Sequence, residues 1–141
     1  MPMDSVKEPF SGFPQLVGFE VEEWADGRAV VALELDGRHV NRSGAMHGGV
    51  MTTIMDIAGG YAGCYGGRSG PARRAVTLSL TTSFIGQARG GRIRAVGRVR
   101  GGGQRIFASS IEVFDADGTV LAIGEGTFRY RRGGQSGGEE E

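Results

Sequence analysis

The stretch His47–Tyr65, HGGVMTTIMDIAGGYAGCY, decides the fold, because it differs in kind from the rest of the chain. It contains one charged side chain, Asp56, and its apolar residues point in nearly every direction of a 3.6-residue helix. A helix of this kind lies inside a domain rather than on its surface. The sequence therefore predicts one long buried helix, ended by Gly66-Gly67 and Pro71. An ordinary core helix has the same pattern, so periodicity alone leaves its role open.

Segments on both sides of this helix alternate apolar and polar residues with a period of two, as strands with one buried and one wet face do. The predicted strands are Arg28–Leu35, Val76–Phe84, Arg92–Arg100, Arg105–Phe114 and Thr119–Tyr130. In the second of these, the predicted dry face comprises Val76, Leu78, Leu80 and Phe84. Residues Asp115–Gly118 have a hairpin-turn composition. The order predicts an α+β fold, with a curved antiparallel sheet of five or six strands wrapped around the helix and other copies covering the remaining apolar surface.

Composition narrows the function classes. The chain has 141 residues, the size of one domain, and its 27 glycines lack the Gly-X-Y period of collagen. Sixteen Lys and Arg balance sixteen Asp and Glu, so no global charge attracts nucleic acid or a membrane surface. All the basic residues except Lys7 are arginines, whose planar forks suit phosphate. A phosphate-bearing small molecule is the favoured ligand class.

The sequence shows no targeting or disulfide pattern, which predicts a cytoplasmic protein without a membrane segment. Cys64 is the only cysteine, no Cys/His spacing resembles a zinc site, and the first residues lack a signal-peptide pattern. We expect residues 1–10 to be flexible, residues 11–132 to form the domain, and the glycine-rich, then acidic residues 133–141 to form a disordered tail.

Asp56 is the first candidate catalytic residue. A lone aspartate in a helix most often faces solvent, but the residues around this one leave only the polar sector that it shares with Thr52. Burying a carboxylate is costly unless it is paired or useful, and no Lys or Arg lies within a helical turn. A desolvated carboxylate without a cation is a candidate general base or nucleophile.

The second candidate feature is the run Ser43–Gly49, SGAMHGG, at the helix start. Glycines there leave backbone N–H groups unobstructed at the positive end of the helix dipole, where a carbonyl oxygen could be held as an oxyanion. A helix start with flexible glycines is the alternative interpretation, and His39 is assigned to structure. Asp56 lies nine residues after His47, about 13 Å along a helix. If both features act on one substrate, a second subunit must complete the site.

The run Asn41–Gly49, followed by Asp56, resembles the hotdog-fold acyl-CoA thioesterases of the PaaI (phenylacetate-degradation) type. Those enzymes carry an Asn, a His-Gly-Gly six residues later, and a helix carboxylate nine residues after the His. The resemblance extends over roughly residues 12–130. It implies a hotdog fold, homotetramers built from dimers with shared active sites, no metal, and no cofactor beyond the CoA of the substrate.

The resemblance also implies roles for individual residues. Asp56 would activate water or attack the thioester, and the Gly48 N–H, with Gly49 beside it, would polarise the thioester carbonyl. His47 would shape that loop, and Asn41 would orient water or substrate. A further catalytic candidate, expected to orient the lytic water near the carboxylate, is Thr77.

Two groups of arginines have different expected roles. A solvated strand face is predicted for Arg92, Arg94, Arg98 and Arg100. Arg89 and Arg105 are the candidates for binding CoA phosphates. Related subfamilies place a Glu at the Asp56 position or one turn beyond it, where this chain has Gly60. Glycines 59 and 60 inside the helix indicate close helix contact or room for an acyl group.

The predicted function is hydrolysis of an aryl- or medium-chain acyl-CoA thioester. Two alternatives remain. Hotdog hydratases and dehydratases have a His five residues after the Asp, where this chain has Tyr61. A non-catalytic acyl-CoA-binding module on the same fold would have no need to bury a carboxylate.

Overall fold

The computed structural model describes residues 12–67 and 73–132. In chain order the elements are helix α1 (Phe13–Val17), strands β1 (Glu20–Ala25) and β2 (Arg28–Leu35), a 3-10 turn (Gly37–His39), helix α2 (Gly48–Ala62), and strands β3 (Ala75–Phe84), β4 (Gly91–Gly102), β5 (Ile106–Phe114) and β6 (Val120–Tyr130). Pro71 and the expected flexible segments, residues 1–10 and 133–141, lie outside the described residues.

The six strands form one antiparallel sheet in the order β1-β2-β4-β5-β6-β3. Its inner face packs on α2, and the core between them is aliphatic, with Val31, Leu33, Ile93 and Ile111 from the sheet facing Ile54 and Met55 of the helix. The predicted α+β hotdog architecture is confirmed. Strand β3 is an edge strand of the described sheet, so one side of its backbone has no partner strand there. No described helix has the length and apolarity that a membrane crossing needs.

Helix α2 ends earlier than predicted. Its last residue is Ala62, and Gly63 caps it by donating its N–H to the carbonyl of Gly60. A side chain at Gly63 would lie 2.3 Å from the ring of Phe107, and the hydroxyl of Tyr130 donates to the Gly63 carbonyl at 2.7 Å. Aromatic residues from β5 and β6 therefore end the helix, four residues before the Gly66-Gly67 pair that was expected to do so.

Close packing explains Gly59 in the middle of α2. A β-carbon there would approach Phe128 to 2.9 Å and Ile111 to 3.0 Å, so glycine lets the helix sit against the sheet. Gly97 of β4 allows the same close approach from the side of the sheet, because a β-carbon there would lie 2.5 Å from the carbonyl oxygen of Ala58. Of the two explanations offered for glycines in the helix, close contact holds for Gly59.

The face assignment predicted for β3 is wrong in part, because the strand contains a bulge. Thr77 pairs with Phe128 but Ser79 pairs with Thr127, so Leu78 is an extra residue. Since the bulge inverts the alternation, Thr77 joins the inner face with Phe128. Leu78 is 51% exposed rather than buried. Phe84, the last residue of the strand, is also half exposed, at 52%.

The outer face of the sheet carries an ion-pair network between β1, β2 and β4. Arg92 contacts Glu20, Glu22 and Glu34 at 2.7–3.0 Å, and Arg94 contacts Glu22 at 2.8 Å. Burial would raise the pKa of Glu22, but its hydrogen bonds from Arg94 and Arg92 outweigh that effect and lower it. The predicted arginine face of β4 is thus partly a set of ion pairs.

Candidate active site

The loop that precedes α2 is held by the side chain of Asn41. Its Oδ1 accepts hydrogen bonds from the Ser43 amide (2.9 Å), the Ser43 hydroxyl (2.8 Å) and the Ala45 amide (3.1 Å). On the other side of the loop, the Arg89 guanidinium donates to the Ser43 carbonyl at 2.6 Å. Asn41 and Arg89, both candidates from sequence, therefore contact the same loop, and Asn41 borders a groove together with Arg42 and His47.

His39 holds the same loop through hydrogen bonds, as expected from its assignment to a structural role. Its ring is buried, Nδ1 accepts from the Asp36 amide at 3.0 Å, and Nε2 therefore carries the proton that it donates to the Val17 carbonyl at 2.6 Å. The His39 carbonyl accepts from the amide of His47 at 2.8 Å. The start of α2 is thus tied to α1 and β2 through one neutral histidine.

His47 caps α2 and takes up most of the donors of its first turn. Its Nδ1 accepts the Gly49 N–H at 2.9 Å, and its carbonyl accepts from Val50 (3.0 Å) and Met51 (3.2 Å). The N–H of Gly48 has no acceptor among residues 12–67 and 73–132. One backbone donor is therefore left available at the positive end of the helix.

The Phe84 ring lies beside the Gly48 N–H, a position that the sequence did not predict. A β-carbon on Gly48 would lie 3.3 Å from the Phe84 ring, so glycine leaves the approach to the N–H open. The predicted alternation assigned Phe84 to the core. The sequence held no signal for this position, because the half-exposure of Phe84 and its place at the end of an edge strand appear only in the folded sheet.

Asp56 lies two turns further along α2, on the same face as Gly48 and Thr52. Its Oδ1 accepts a hydrogen bond from the Thr77 hydroxyl at 2.6 Å. The expectation of a fully buried carboxylate is not met within one chain, where Asp56 is half-buried, since β3 covers it from one side only. None of the described basic residues forms an ion pair with it.

The predicted site residues thus form three groups. The loop and helix start hold Asn41, His47, Gly48, Gly49 and Arg89. Asp56 and Thr77 form a second group, about 12 Å along the helix from Gly48. Arg105 lies apart from both, at the end of the sheet near the C-terminus of α2, where its carbonyl accepts from the Tyr130 amide. Cys64 is buried nearby, and burial raises the pKa of its thiol to about 11, which disfavours the nucleophilic thiolate at neutral pH.

Comparisons with known proteins place this arrangement in a family. The family model of the thioesterase superfamily matches residues 43–122. A conserved Pseudomonas aeruginosa protein of known structure is 34% identical, with a TM-score of 0.77 over 86% of this chain and 95% of that one. The phenylacetic acid degradation protein PaaI of Thermus thermophilus, solved as a mutant, is 29% identical, with a TM-score of 0.71 over 85% and 98%. A second Pseudomonas aeruginosa protein, provisionally named an esterase, is 34% identical over 74% of this chain and 76% of its own length.

The chain belongs to the thioesterase superfamily. Within that superfamily it is a hotdog-fold protein of the PaaI type, as the motif around His47 predicted.

Proposed function

We propose that this protein hydrolyses acyl-CoA thioesters with an aryl or medium-chain acyl group, using one site built from two copies of the chain. The main support is that the Gly48 N–H has no acceptor among the described residues and shares a helix face with the Asp56–Thr77 pair. A polarising donor and a carboxylate base are the two groups that acyl transfer to water requires.

The spacing of these groups argues for a dimeric site. About 12 Å separates Gly48 from Asp56 along α2, too far for one carbonyl to contact both. A two-fold axis near Thr52, with the two helices antiparallel, would bring Gly48 of one copy beside Asp56 of the other. The exposed side of β3, which lies over this helix face, is a suitable edge for such pairing. We further propose that these dimers assemble into a tetramer.

In the proposed reaction, Asp56 takes a proton from a water molecule that Thr77 helps to orient. The water oxygen bonds to the thioester carbon, and the Gly48 N–H stabilises the negative charge that develops on the carbonyl oxygen. The tetrahedral intermediate then collapses, the C–S bond breaks, and the CoA thiolate receives the proton held by Asp56. His47 keeps the helix start in place by accepting the Gly49 N–H. Asn41 holds the loop, with its amide nitrogen available to the substrate or water.

Asp56 could alternatively attack the carbonyl itself, so that the C–S bond breaks, the CoA thiolate leaves and a mixed anhydride remains, which water then opens. Single-turnover hydrolysis in ¹⁸O-labelled water separates the two routes. Labelled oxygen in the Asp56 carboxylate after turnover indicates an anhydride opened at the Asp56 carbon, and label in the released acid alone shows that water bonds to the acyl carbon, as in general-base catalysis.

A panel of aryl-, aliphatic- and hydroxyacyl-CoA substrates with a thiol-detecting dye tests the proposal. Wild type should release CoA, and Asp56→Asn should lower kcat by about 10²–10⁴ while leaving CoA binding unchanged. If no substrate releases thiol faster from wild type than from the variant while both bind CoA equally, the protein is a binding module instead. Hydration of an enoyl-CoA without thiol release would indicate the hydratase alternative.

A further inference from the structure

Arginines gather at the end of the sheet where β3 begins and β6 ends. The Arg73 guanidinium lies 3.4 Å from the centroid of the Tyr130 ring, and its Nη2 donates to the Gln104 carbonyl at 3.2 Å. Backbone hydrogen bonds place Arg105 beside Tyr130 and Arg74 beside Arg131. Arg73 and Arg105, from two separate segments, therefore lie next to Tyr130, whose hydroxyl is fixed on the Gly63 carbonyl. The alternation along β3 and β6 directs Arg74 and Arg131 to the opposite face of the sheet.

The charge of this cluster is not neutralised within the described part of the chain. Neither Arg73 nor Arg105 has an ion pair with a described carboxylate, in contrast to Arg92 and Arg94 on the outer face. Burial raises the pKa of the Tyr130 hydroxyl, the Arg73 charge lowers it, and among the described carboxylates Asp26 raises it. A multiply charged anion would supply the missing partners.

The cluster shares a sheet face with the Asp56–Thr77 pair. Thr77 pairs with Phe128, and Tyr130 pairs with Ala75, two residues along each strand. Residues two apart point to the same side, so Arg73 on Tyr130 lies about 7 Å along the strands from Thr77. A ligand that reacts at Asp56 and has a flexible arm longer than this can place an anionic end among the arginines.

We propose that Arg73 and Arg105, which lie next to Tyr130, bind the phosphate groups of the CoA moiety while the thioester lies at Asp56. The assignment rests on the proposed thioesterase function. It separates Arg105 from Arg89, the other arginine expected to contact phosphate, because the Arg89 guanidinium is used to hold the Ser43 carbonyl at the opposite end of α2. The Arg73 guanidinium, held by stacking and a backbone contact, loses little freedom on binding a diphosphate.

The test compares two thioesters of the same acyl group, one with CoA and one with N-acetylcysteamine, which carries no phosphate. The variant is the double substitution Arg73→Gln/Arg105→Gln. A matched control, Arg98→Gln/Arg129→Gln, removes the same charge from exposed arginines on the other sheet face. The variant should raise KM for acyl-CoA about tenfold or more at nearly constant kcat, while the N-acetylcysteamine thioester should show no change. The control should stay within about twofold of wild type.

Calorimetric titration with free CoA keeps the two proposals distinguishable. The Arg73/Arg105 variant should bind CoA at least about tenfold more weakly than wild type and the control, with the difference shrinking as salt is added. Equal CoA affinity in all three proteins, or equal KM changes with both thioesters, would overturn the phosphate assignment while leaving hydrolysis intact. Absence of hydrolysis in wild type with this CoA-binding difference preserved would instead contradict only the thioesterase proposal.

Discussion

The two faces of α2 use the same residue type in opposite ways. On the face packed against β5 and β6, glycine at 59 lets the sheet approach, because a β-carbon would come within 3.0 Å of both Phe128 and Ile111. On the face toward β3, glycine at 48 leaves a backbone N–H accessible beside the Phe84 ring. Packing density makes the first face rigid, and the second can hold a ligand because its polar groups, Thr52 and Asp56, are only partly covered.

The largest expected effect is on the open face. Proline at position 48 removes the N–H, yet it suits the first residue of a helix, and the extended backbone of His47 (φ −68°, ψ 136°) is the conformation that a following proline favours. We expect Gly48→Pro to lower kcat by about 10²–10³ with little change in the melting temperature. Steady-state kinetics and thermal unfolding check both parts. A variant with wild-type kcat would show that this N–H does not polarise the substrate.

The packed face should respond in stability rather than in turnover. Gly59→Ala and Gly60→Ala gain the same helix propensity, about 1 kcal/mol each, but only the first meets a crowded site, since a β-carbon at Gly60 would lie 3.5 Å from Phe128. We expect Gly59→Ala to be less stable than Gly60→Ala by about 1–3 kcal/mol in urea unfolding. Equal free energies of unfolding for the two variants would mean that Phe128 and Ile111 do not crowd a side chain at position 59.

Thr77 links the open face to the edge strand, and its effect should be smaller. Thr77→Val keeps the shape of the side chain and removes the donor to Asp56, so kcat should fall about tenfold. Thr77→Ser restores the hydroxyl and should recover most of that loss. If both variants lose activity equally, the strand rather than the hydrogen bond supports Asp56.

The smallest effect concerns the outer surface, remote from both helix faces. Because the folded-state pKa of Glu22 is lowered, its ion pairs contribute stability above its ordinary pKa of 4.5, and that contribution is lost as the pH falls through the lower folded-state value. Glu22→Gln should reduce the stability difference between pH 7 and pH 3 by less than about 1 kcal/mol. Glu125→Gln, an exposed acid without a described ion pair, should leave that difference unchanged. Urea unfolding at the two pH values measures it.

Local pattern was enough to predict most of the architecture. Alternation located five strands, among them β2 with the bounds Arg28–Leu35, and the nearly uncharged run after His47 predicted a helix that a sheet must enclose. The predictions that were wrong concern features that are set by contacts distant in sequence. The end of α2 is set by Phe107 and Tyr130, more than forty residues away. The bulge at Leu78 inverts an alternation that looks regular in the sequence.

The candidate site was predictable in its parts but not in its environment. The proximity of Thr77 to Asp56 came from the family resemblance, since simple alternation put Thr77 on the wet face. The sequence does not show which backbone N–H groups at the start of α2 lack an acceptor, because this depends on the His47 ring turning back to accept the Gly49 N–H. Phe84 and the Arg73–Tyr130 stack join segments that only the folded sheet brings together.

The central claim is that Gly48 of one copy and Asp56 of another form a single site, and subunit complementation tests it most directly. Gly48→Pro and Asp56→Asn are each expected to be nearly inactive. Unfolded together in equal amounts and refolded, they should recover about a quarter of wild-type activity, because half of randomly formed dimers contain one intact site of two. Activity that stays at the level of the separate variants would contradict a shared site.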